Sequence, residues 1–520
     1  MKFLEGFLIV IDGHDDRQTD HDRISVGDVS PPGGSWLLHP AWIGLPGRWV
    51  AGSLTMCLMW WGAGLWLYWG HPPRYDEFYY TFWARYWLDF DLDYLSRNWP
   101  GTMIRRYLYQ LFLAVIGAPF PAMLEQTFES RLYIALIQLM LYVGSVLRLA
   151  QHAQAVHGRT IGVAILAGLL ALPFPVFTQV EVLSESVGLT LFCWFVIAAI
   201  QSVGVVRGAR VLAKFASVTF IAIGLVLIRS AFMPVTLISI TWMALAVARI
   251  AVRRPMRALL WVAVCVFVLL VPALSLALPQ AYLMSEHIRY VDNDQDLWGV
   301  GSGQIRASMI NAKYSTSVVQ CDSGPVGFEY PIPGFSEEER AGIVAQGATS
   351  FRDAVWWHAV HPYVGLLHLF VAINHDFPTT YVTTFNPIVL IGFNALGILI
   401  ASAGMATLAS LALDARKTLS PSVWMHASRT SVGLVVLVIA TLWGMTMFTQ
   451  VETRYGIIPW CTLAVAASYG AITWVADFMV GRRRWWQAGT ALAIASSGLW
   501  LSRWLLSTVE PVQRAIAAGC

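Results

Sequence analysis

The sequence predicts an all-α polytopic membrane protein with about 11 transmembrane helices, and three observations support this fold class. The chain is 57% hydrophobic and 12% charged, whereas soluble domains are about 45–50% apolar and about 25% charged. Its apolar residues form runs of roughly 20 residues, the length of helix that crosses about 30 Å of hydrocarbon. Arg and Lys cluster in every second connection between these runs.

The apolar runs divide the chain into four parts. Residues 1–45, rich in Asp, Gly, Pro and His, are predicted to form a flexible cytoplasmic tail. Residues 46–278 form an N-terminal transmembrane module, 279–386 a long extracytoplasmic loop, and 387–520 a C-terminal group of transmembrane helices. The predicted spans lie near 49–69, 131–150, 160–178, 187–206, 215–230, 232–248, 258–278, 387–412, 431–449, 456–480 and 486–506.

Basic residues assign the connections to the two sides of the membrane. Under the positive-inside rule, the basic connections that contain Arg148, Arg207, Arg253, Arg416 and Arg483 are cytoplasmic, and so is the amino terminus. The chain has no Asn-x-Ser/Thr sequon, which favours a bacterial inner membrane with the other side facing the periplasm. The extracytoplasmic connections are then 70–130, which carries amphipathic helices, and the stretches around 179–186, 229–234, 279–386 and 450–455.

The stretch HPYVGLLHLFVAINHDF, residues 361–377, is interpreted as a helix lying at the membrane interface rather than a span. Its uninterrupted apolar core is too short to cross the bilayer, and His and Asp residues flank it. Polar residues on such a helix, or ligands of a divalent metal ion, are the two interpretations that the sequence leaves open here. The candidate ligands are Asp353, His358, His361, His375 and Asp376.

Acidic and guanidinium side chains occur in four separate extracytoplasmic connections. Charged groups at membrane depth cost a few kcal/mol unless they are paired or hydrated, so they tend to mark a functional cavity. Their convergence on one membrane face is the main argument for a site. The residues are Asp76 and Glu77 in RYDEFYY, Glu181 and Glu185 in TQVEVLSES, Arg229 in LVLIRSAFMP, and Glu452 and Arg454 in TQVETRYGIIPW.

At these positions the sequence resembles the GT-C glycosyltransferases, which include protein O-mannosyltransferases and aminoarabinose transferases. RYDEFYYTFWARYW resembles the Asp-Glu motif of the family's first extracytoplasmic loop, and IGLVLIRSAFMPVTLI resembles its Gly-Leu-x-x-Leu-x-Arg-Pro hairpin. VEVLSESVGLTLF is similar to the beginning of the family's fourth span, and VETRYGIIPW to its Glu-x-Arg-Tyr-x-x-Pro segment. The hairpin departs from the family by reading Arg-Ser-Ala-Phe-Met-Pro, and the loop reads IRRYLY, so either Arg105 or Arg106 is the basic counterpart.

The resemblance implies an inverting transfer of a sugar from a polyprenyl-phosphate donor to an acceptor outside the cytoplasm, which is a glycan, a lipid or a protein. It implies that Asp76 is the general base and that Glu77 positions the loop or assists catalysis. The chemistry agrees, because a departing lipid phosphate needs cationic hydrogen-bond donors and an attacking hydroxyl needs a carboxylate. The implied substrate-binding residues are Arg105, Arg106, Glu181, Glu185, Arg229, Glu452, Arg454 and Tyr455.

Other classes of protein stay open at this point. A transporter can line its path with Arg and Glu, and a polymerase or ligase of lipid-linked glycans would use the same carrier. Arg105 and Arg106 have the alternative of reaching lipid headgroups. A nucleic acid is a poor partner, because the net charge is only +3 and the basic residues occur in short clusters.

Overall fold

The computed structural model describes 45–73, 76–91, 94–95, 107–201, 209–229, 235–239, 311–321, 324–332, 334–346, 351–372, 387–418, 431–445 and 456–479, with isolated positions besides. These residues are mostly helical. The described α-helices before residue 230 include α1 (Gly47–Leu67), α2 (Asp76–Leu88), α3 (Tyr107–Gly117), α4 (Phe128–His157), α5 (Arg159–Leu170), α6 (Pro173–Phe177), α7 (Ser184–Gln201) and α8 (Ala209–Ile228).

The rest of the described chain includes a hairpin, a short helical stretch at 235–239 and six longer helices. Strands β1 (Asn311–Cys321) and β2 (Gly324–Pro331) pair antiparallel. The helices are α9 (Glu337–Gln346), α10 (Phe351–Val360), α11 (Pro362–Ala372), α12 (Pro387–Thr418), α13 (Ser431–Met445) and α14 (Ile457–Met479). The all-α prediction did not include the hairpin, which lies within the predicted loop 279–386.

Four described helices are long and apolar enough to cross a membrane: α1, α4, α7 and most of α14. They coincide with the predicted spans near 49–69, 131–150, 187–206 and 456–480. Helices α8, α12 and α13 also lie on predicted spans, and each contains a shorter apolar stretch. The predicted spans near 232–248, 258–278 and 486–506 lie mostly outside the described residues. The structure therefore supports a membrane protein without establishing 11 spans.

The third predicted span, 160–178, is wrong as a single helix. Helix α5 has 12 residues, a length of about 18 Å, and it ends at Leu170. Pro173 and Pro175 follow, and proline lacks the amide hydrogen that would continue the ladder of hydrogen bonds. The chain forms the five-residue helix α6 and then proceeds without a regular helix to Ser184, where α7 begins.

Residues 173–183 of the interrupted segment 171–183 are buried, and irregular backbone inside a membrane is stable only where protein encloses it. Tyr142 Oη donates to the carbonyl of Leu169 at 2.7 Å, and Trp60 Nε1 donates to the carbonyl of Ala171 at 3.0 Å. These side chains satisfy carbonyls that the end of α5 would otherwise leave without hydrogen bonds. The break is therefore stabilised by residues from α1 and α4.

Gly64 lets the interrupted segment pack closely along α1. A Cβ atom at this position would lie 2.9 Å from Cγ2 of Val180 and 3.0 Å from Cδ1 of Phe177. The segment approaches Trp60 first, then Gly64, and reaches Tyr68 just beyond the end of α1, where Tyr68 contacts Glu181. Glu181 therefore lies at the level where α1 ends.

Polar contacts made by α4 mark the two ends of the bundle. At one end His152 of α4 lies 2.7 Å from the amide of Gln201 of α7, measured between the two Nε2 atoms. At the other, Arg131 of α4 binds a carboxylate. Arg131 and His152 are separated along α4 by about 32 Å at 1.5 Å per residue, close to the hydrocarbon thickness of a bilayer. We call the end that contains Tyr68, Arg131, Glu185 and Arg229 the polar end.

The described part of 311–372 packs around a small core of its own. Ile332 and Val364 are buried, and Phe335, Trp357 and Leu367 pack against them. Helix α11 has 11 residues and is about 16 Å long, shorter than the bilayer. Residues 373–386 lie outside the described chain, so the interpretation of 361–377 as an interfacial helix stays a prediction.

Candidate functional site

The centre of the polar end is a buried ion pair between Arg131 and Glu77. Arg131 Nη1 donates to Glu77 Oε1 at 2.7 Å, and Nη2 donates to Oε2 at 2.5 Å. Both side chains are almost fully buried, with exposures of 1% and 0%. Arg131 lies in the first turn of α4, and Glu77 lies in the first turn of α2. The pair therefore fixes the beginning of α2, the helix that opens with Asp76.

The same two side chains also bind backbone groups. Arg131 Nε donates to the carbonyl of His71 at 3.2 Å, and Nη2 donates to that of Pro72 at 3.1 Å. Glu77 Oε1 accepts from the amide of Val182 at 2.9 Å. The ion pair thus joins the chain after α1, the beginning of α2 and the interrupted segment. These contacts give Glu77 the geometry of a positioning residue, one of the two roles that the sequence leaves open for it.

Glu181 is linked to Arg131 through Tyr68. Tyr68 Oη donates to Glu181 Oε1 at 3.1 Å, and the guanidinium carbon of Arg131 lies 4.1 Å from the centre of the Tyr68 ring. A cation over an aromatic face is attracted by the ring's quadrupole, the more so when water is excluded. Tyr68 is 1% exposed. It therefore connects Arg131 with a second buried carboxylate.

A second buried ion pair, between Glu185 and Arg229, lies at the same end. Glu185 is in the first turn of α7, and Arg229 directly follows α8. Ser184 Oγ donates to Glu185 Oε2 at 3.0 Å, while Glu185 Oε1 faces Arg229 Nη1. Tyr80 of α2 donates from its hydroxyl to Ser184 Oγ at 3.2 Å. A continuous chain of contacts therefore runs from α2 to Arg229.

Gln138 holds the interrupted segment in place beneath the ion pairs. Its Nε2 atom donates to the carbonyls of Gln179 at 3.2 Å and Glu181 at 2.9 Å. Its Oε1 atom accepts from the hydroxyls of Tyr109 at 2.8 Å and Ser186 at 2.6 Å. Burial raises the pKa of the Tyr109 phenol well above its ordinary range, so Tyr109 remains a neutral donor.

Four of the predicted site residues meet in this network. Glu77, Glu181, Glu185 and Arg229 are buried at the polar end, although they come from three separate parts of the sequence. Asp76 occupies the first position of α2, one helical turn before Tyr80, and its side chain lies outside the described atoms. The other predicted residues, Arg105, Arg106, Glu452, Arg454 and Tyr455, lie outside the described residues.

Sequence reasoning missed several residues of the network, and Arg131 is the most important. Its signal was available, because an arginine in the first turn of an apolar helix faces the same membrane side as the predicted carboxylates. The tyrosines had no such signal, since aromatic residues are common at membrane interfaces. Gln138 lies inside an apolar run, where one amide reveals nothing about its partners. The missed residues around the two ion pairs are Arg131, Tyr68, Tyr80 and Ser184, and those that only support the segment beneath them are Tyr109 and Gln138.

The described histidines of α10 and α11 do not form a metal site. Among the residues that the structure describes, no group of three or more His, Cys, Asp or Glu side chains is placed to hold a metal ion. His358 packs on His368, with their ring centres 5.4 Å apart. His361 stacks on Trp357 at 4.3 Å instead. His375, Asp376 and the side chain of Asp353 lie outside the described part.

The fold and the site define a helical membrane protein in which buried acid–guanidinium pairs converge at one end of the bundle. Comparison with known proteins gives no match to a family model, to a curated protein or to a solved structure.

Proposed function

We propose that this protein is an inverting glycosyltransferase of the GT-C type that uses a polyprenyl-phosphate-linked sugar as donor. Its acceptor is an unidentified glycan, lipid or protein on the extracytoplasmic face. In this proposal the protein resides in a bacterial inner membrane, with a cytoplasmic amino terminus and a site facing the periplasm. Asp76 acts as the general base, and arginines bind the lipid phosphate.

One observation carries the proposal: the chain of contacts from α2 through Tyr80, Ser184 and Glu185 to Arg229. It connects the helix that begins with the proposed base to the guanidinium proposed as a phosphate ligand. Glu77, adjacent to Asp76, is already engaged by Arg131 and Val182. Because these contacts occupy Glu77, we assign the reacting carboxylate to Asp76 and a supporting role for the loop to Glu77.

The proposed step balances as a single displacement. The acceptor hydroxyl transfers its proton to the carboxylate of Asp76 as its oxygen bonds to the anomeric carbon of the sugar. The bond between that carbon and the phosphate oxygen breaks, and the electron pair leaves with the polyprenyl phosphate. Arg229 would stabilise the charge that develops on the leaving phosphate, because a guanidinium stays charged and its N–H groups match phosphate oxygens. Displacement from the opposite face inverts the anomeric centre.

A transporter is the second candidate, and the interrupted helix at 171–183 is the observation that favours it. Discontinuous helices often carry the substrate site of transporters, where unwound carbonyls coordinate an ion. Here Tyr142, Trp60 and Gln138 already donate hydrogen bonds to carbonyls of this region. Occupied carbonyls suit a structural break better than an ion site, so we prefer the transferase.

The test is a transfer and binding experiment on the purified protein in lipid nanodiscs. Mass spectrometry of co-purifying lipids should detect a polyprenyl phosphate or its glycosylated form, which identifies the donor. Asp76→Asn should abolish sugar transfer while the protein still folds and binds the donor lipid. Normal turnover by that variant would remove Asp76 as the base, and solute uptake without any lipid-linked sugar would favour the transporter.

A further inference from the structure

The contacts between α2 and Arg229 have an order that suggests more than packing. Glu185 uses its two carboxylate oxygens for different partners: Oε2 accepts from Ser184 Oγ, and Oε1 faces Arg229 Nη1. Ser184 in turn accepts from the Tyr80 hydroxyl. A hydroxyl that accepts from one neighbour directs its own proton toward the other. Tyr80 therefore helps to fix the direction in which Ser184 donates.

We propose that Tyr80 and Ser184 are positioning residues that orient Arg229 toward the lipid phosphate through the carboxylate of Glu185. This inference rests on the proposed function, since it takes Arg229 as a phosphate ligand. A guanidinium carries five N–H donors, so a carboxylate held against Nη1 orients the group while other donors face a ligand. All four side chains are buried, with exposures between 0% and 6%.

The consequence is a coupling between activation of the acceptor hydroxyl by Asp76 and binding of the donor phosphate by Arg229. We call the contacts from Tyr80 through Ser184 and Glu185 to Arg229 the relay. Tyr80 lies one helical turn after Asp76 in α2, so one helix carries both the proposed base and the first residue of the relay. A change in the position of α2 would alter the direction of Arg229 through Ser184 and Glu185. The position of α2 thereby affects both activation of the acceptor and binding of the donor phosphate.

The matched control is Tyr109, which packs edge to face on Tyr80 with ring centres 4.8 Å apart. Its hydroxyl donates to Gln138 rather than to the relay. Tyr80→Phe and Tyr109→Phe each keep the ring and remove a buried hydroxyl, together with its described hydrogen bond to Ser184 or to Gln138. A purely structural role for Tyr80 therefore predicts that the two variants behave alike.

The experiment measures binding of undecaprenyl phosphate to the full-length protein in nanodiscs, together with the melting temperature of each variant. We expect Tyr80→Phe and Ser184→Ala to weaken binding by about fivefold, the equivalent of one hydrogen bond. Tyr109→Phe should keep the wild-type affinity within about twofold, although its melting temperature falls as much as that of Tyr80→Phe. Ser184→Ala gives an independent test if Tyr80→Phe fails to fold.

Equal loss of affinity in Tyr80→Phe and Tyr109→Phe, or loss in neither, would overturn the relay. In a background carrying Glu185→Gln, Tyr80→Phe should weaken binding no further, because the relay passes through that carboxylate. A persistent effect in this background would also overturn it. If the wild-type protein fails to bind undecaprenyl phosphate at all, the proposed function itself is wrong, which is a different outcome from a failure of the relay.

Discussion

Arg131 binds both carboxylate oxygens of Glu77 and thereby ties the first turn of α4 to the first turn of α2. The pair is shielded from solvent, since neither side chain is more than 1% exposed. Breaking a buried pair by removing one partner leaves an uncompensated charge, whereas replacing both partners removes the charge altogether. The loss of stability at this end of the molecule therefore depends on whether one partner of the pair or both are replaced.

The first prediction concerns this pair. Glu77→Gln and Arg131→Met should each lower the free energy of unfolding by about 3–5 kcal/mol, because each leaves one charge without its partner. The double variant should be less destabilised than the sum of the two single changes. Thermal unfolding in detergent measures the series. Additive losses would show that the two side chains do not act as a pair.

Arg229→Ala should weaken binding of undecaprenyl phosphate more than it weakens binding of the acceptor. The physical reason is that a guanidinium provides charged donors for phosphate oxygens, and alanine provides none. Because removal of Arg229 also leaves Glu185 buried without this ion-pair partner, Arg229→Lys is measured beside it as a variant that keeps the charge. Unchanged lipid-phosphate affinity in both variants would exclude Arg229 as a phosphate ligand.

Gly188→Ala should displace the turn that carries Arg229. A Cβ atom at Gly188 would lie 3.0 Å from Cε2 and 3.4 Å from Cζ of Phe232, whose amide donates to the carbonyl of Arg229. We expect a cost of about 1–3 kcal/mol from overpacking and weaker lipid-phosphate binding. Gly144→Ala in α4 is the control, since a Cβ there meets no atom of the described chain within 4 Å. Equal stability and equal lipid-phosphate affinity of the two variants would contradict the expected effect of Gly188→Ala on the turn that carries Arg229.

Gln138→Leu should destabilise the interrupted segment without removing any charge. The change leaves the carbonyls of Gln179 and Glu181 without this donor, at a cost of about 1–3 kcal/mol for each buried group. Gln151→Leu, nearer the other end of the same helix and only partly buried, is the control. Melting temperatures in detergent compare the two. A larger loss in the control would argue against this role for Gln138.

The last prediction concerns an apolar edge on α10 and α11, formed by Trp356, Val360, Tyr363 and Leu366, which are 47–72% exposed. We expect this edge to rest in the membrane interface, where tryptophan and tyrosine are enriched. In a cysteine-free background, spin labels at Trp356→Cys and Leu366→Cys should be more accessible to oxygen than to a water-soluble nickel complex. A label at Glu338→Cys on α9 should show the opposite order, and aqueous exposure of all three labels would refute interfacial placement.

Much of the fold could be predicted because its dominant signal is local. A run of apolar residues of bilayer length must form a helix with its backbone groups satisfied internally, and α1, α4 and α7 lie where the runs predicted them. The prediction failed where chemistry other than hydropathy decides the backbone. Pro173 and Pro175 divide the third run into α5, α6 and an irregular segment, although its composition remains apolar.

The amino-acid sequence by itself determined that this is a helical membrane protein and which acidic and basic residues lie in connections predicted to share one face. Only the tertiary structure decided the pairing: Glu77 with Arg131, and Glu185 with Arg229. The physical reason is that hydropathy is a property of each segment, whereas an ion pair or a hydrogen bond depends on the distance between side chains that are far apart in the chain. A buried charge must find a partner, but the sequence does not show which one until the helices are packed.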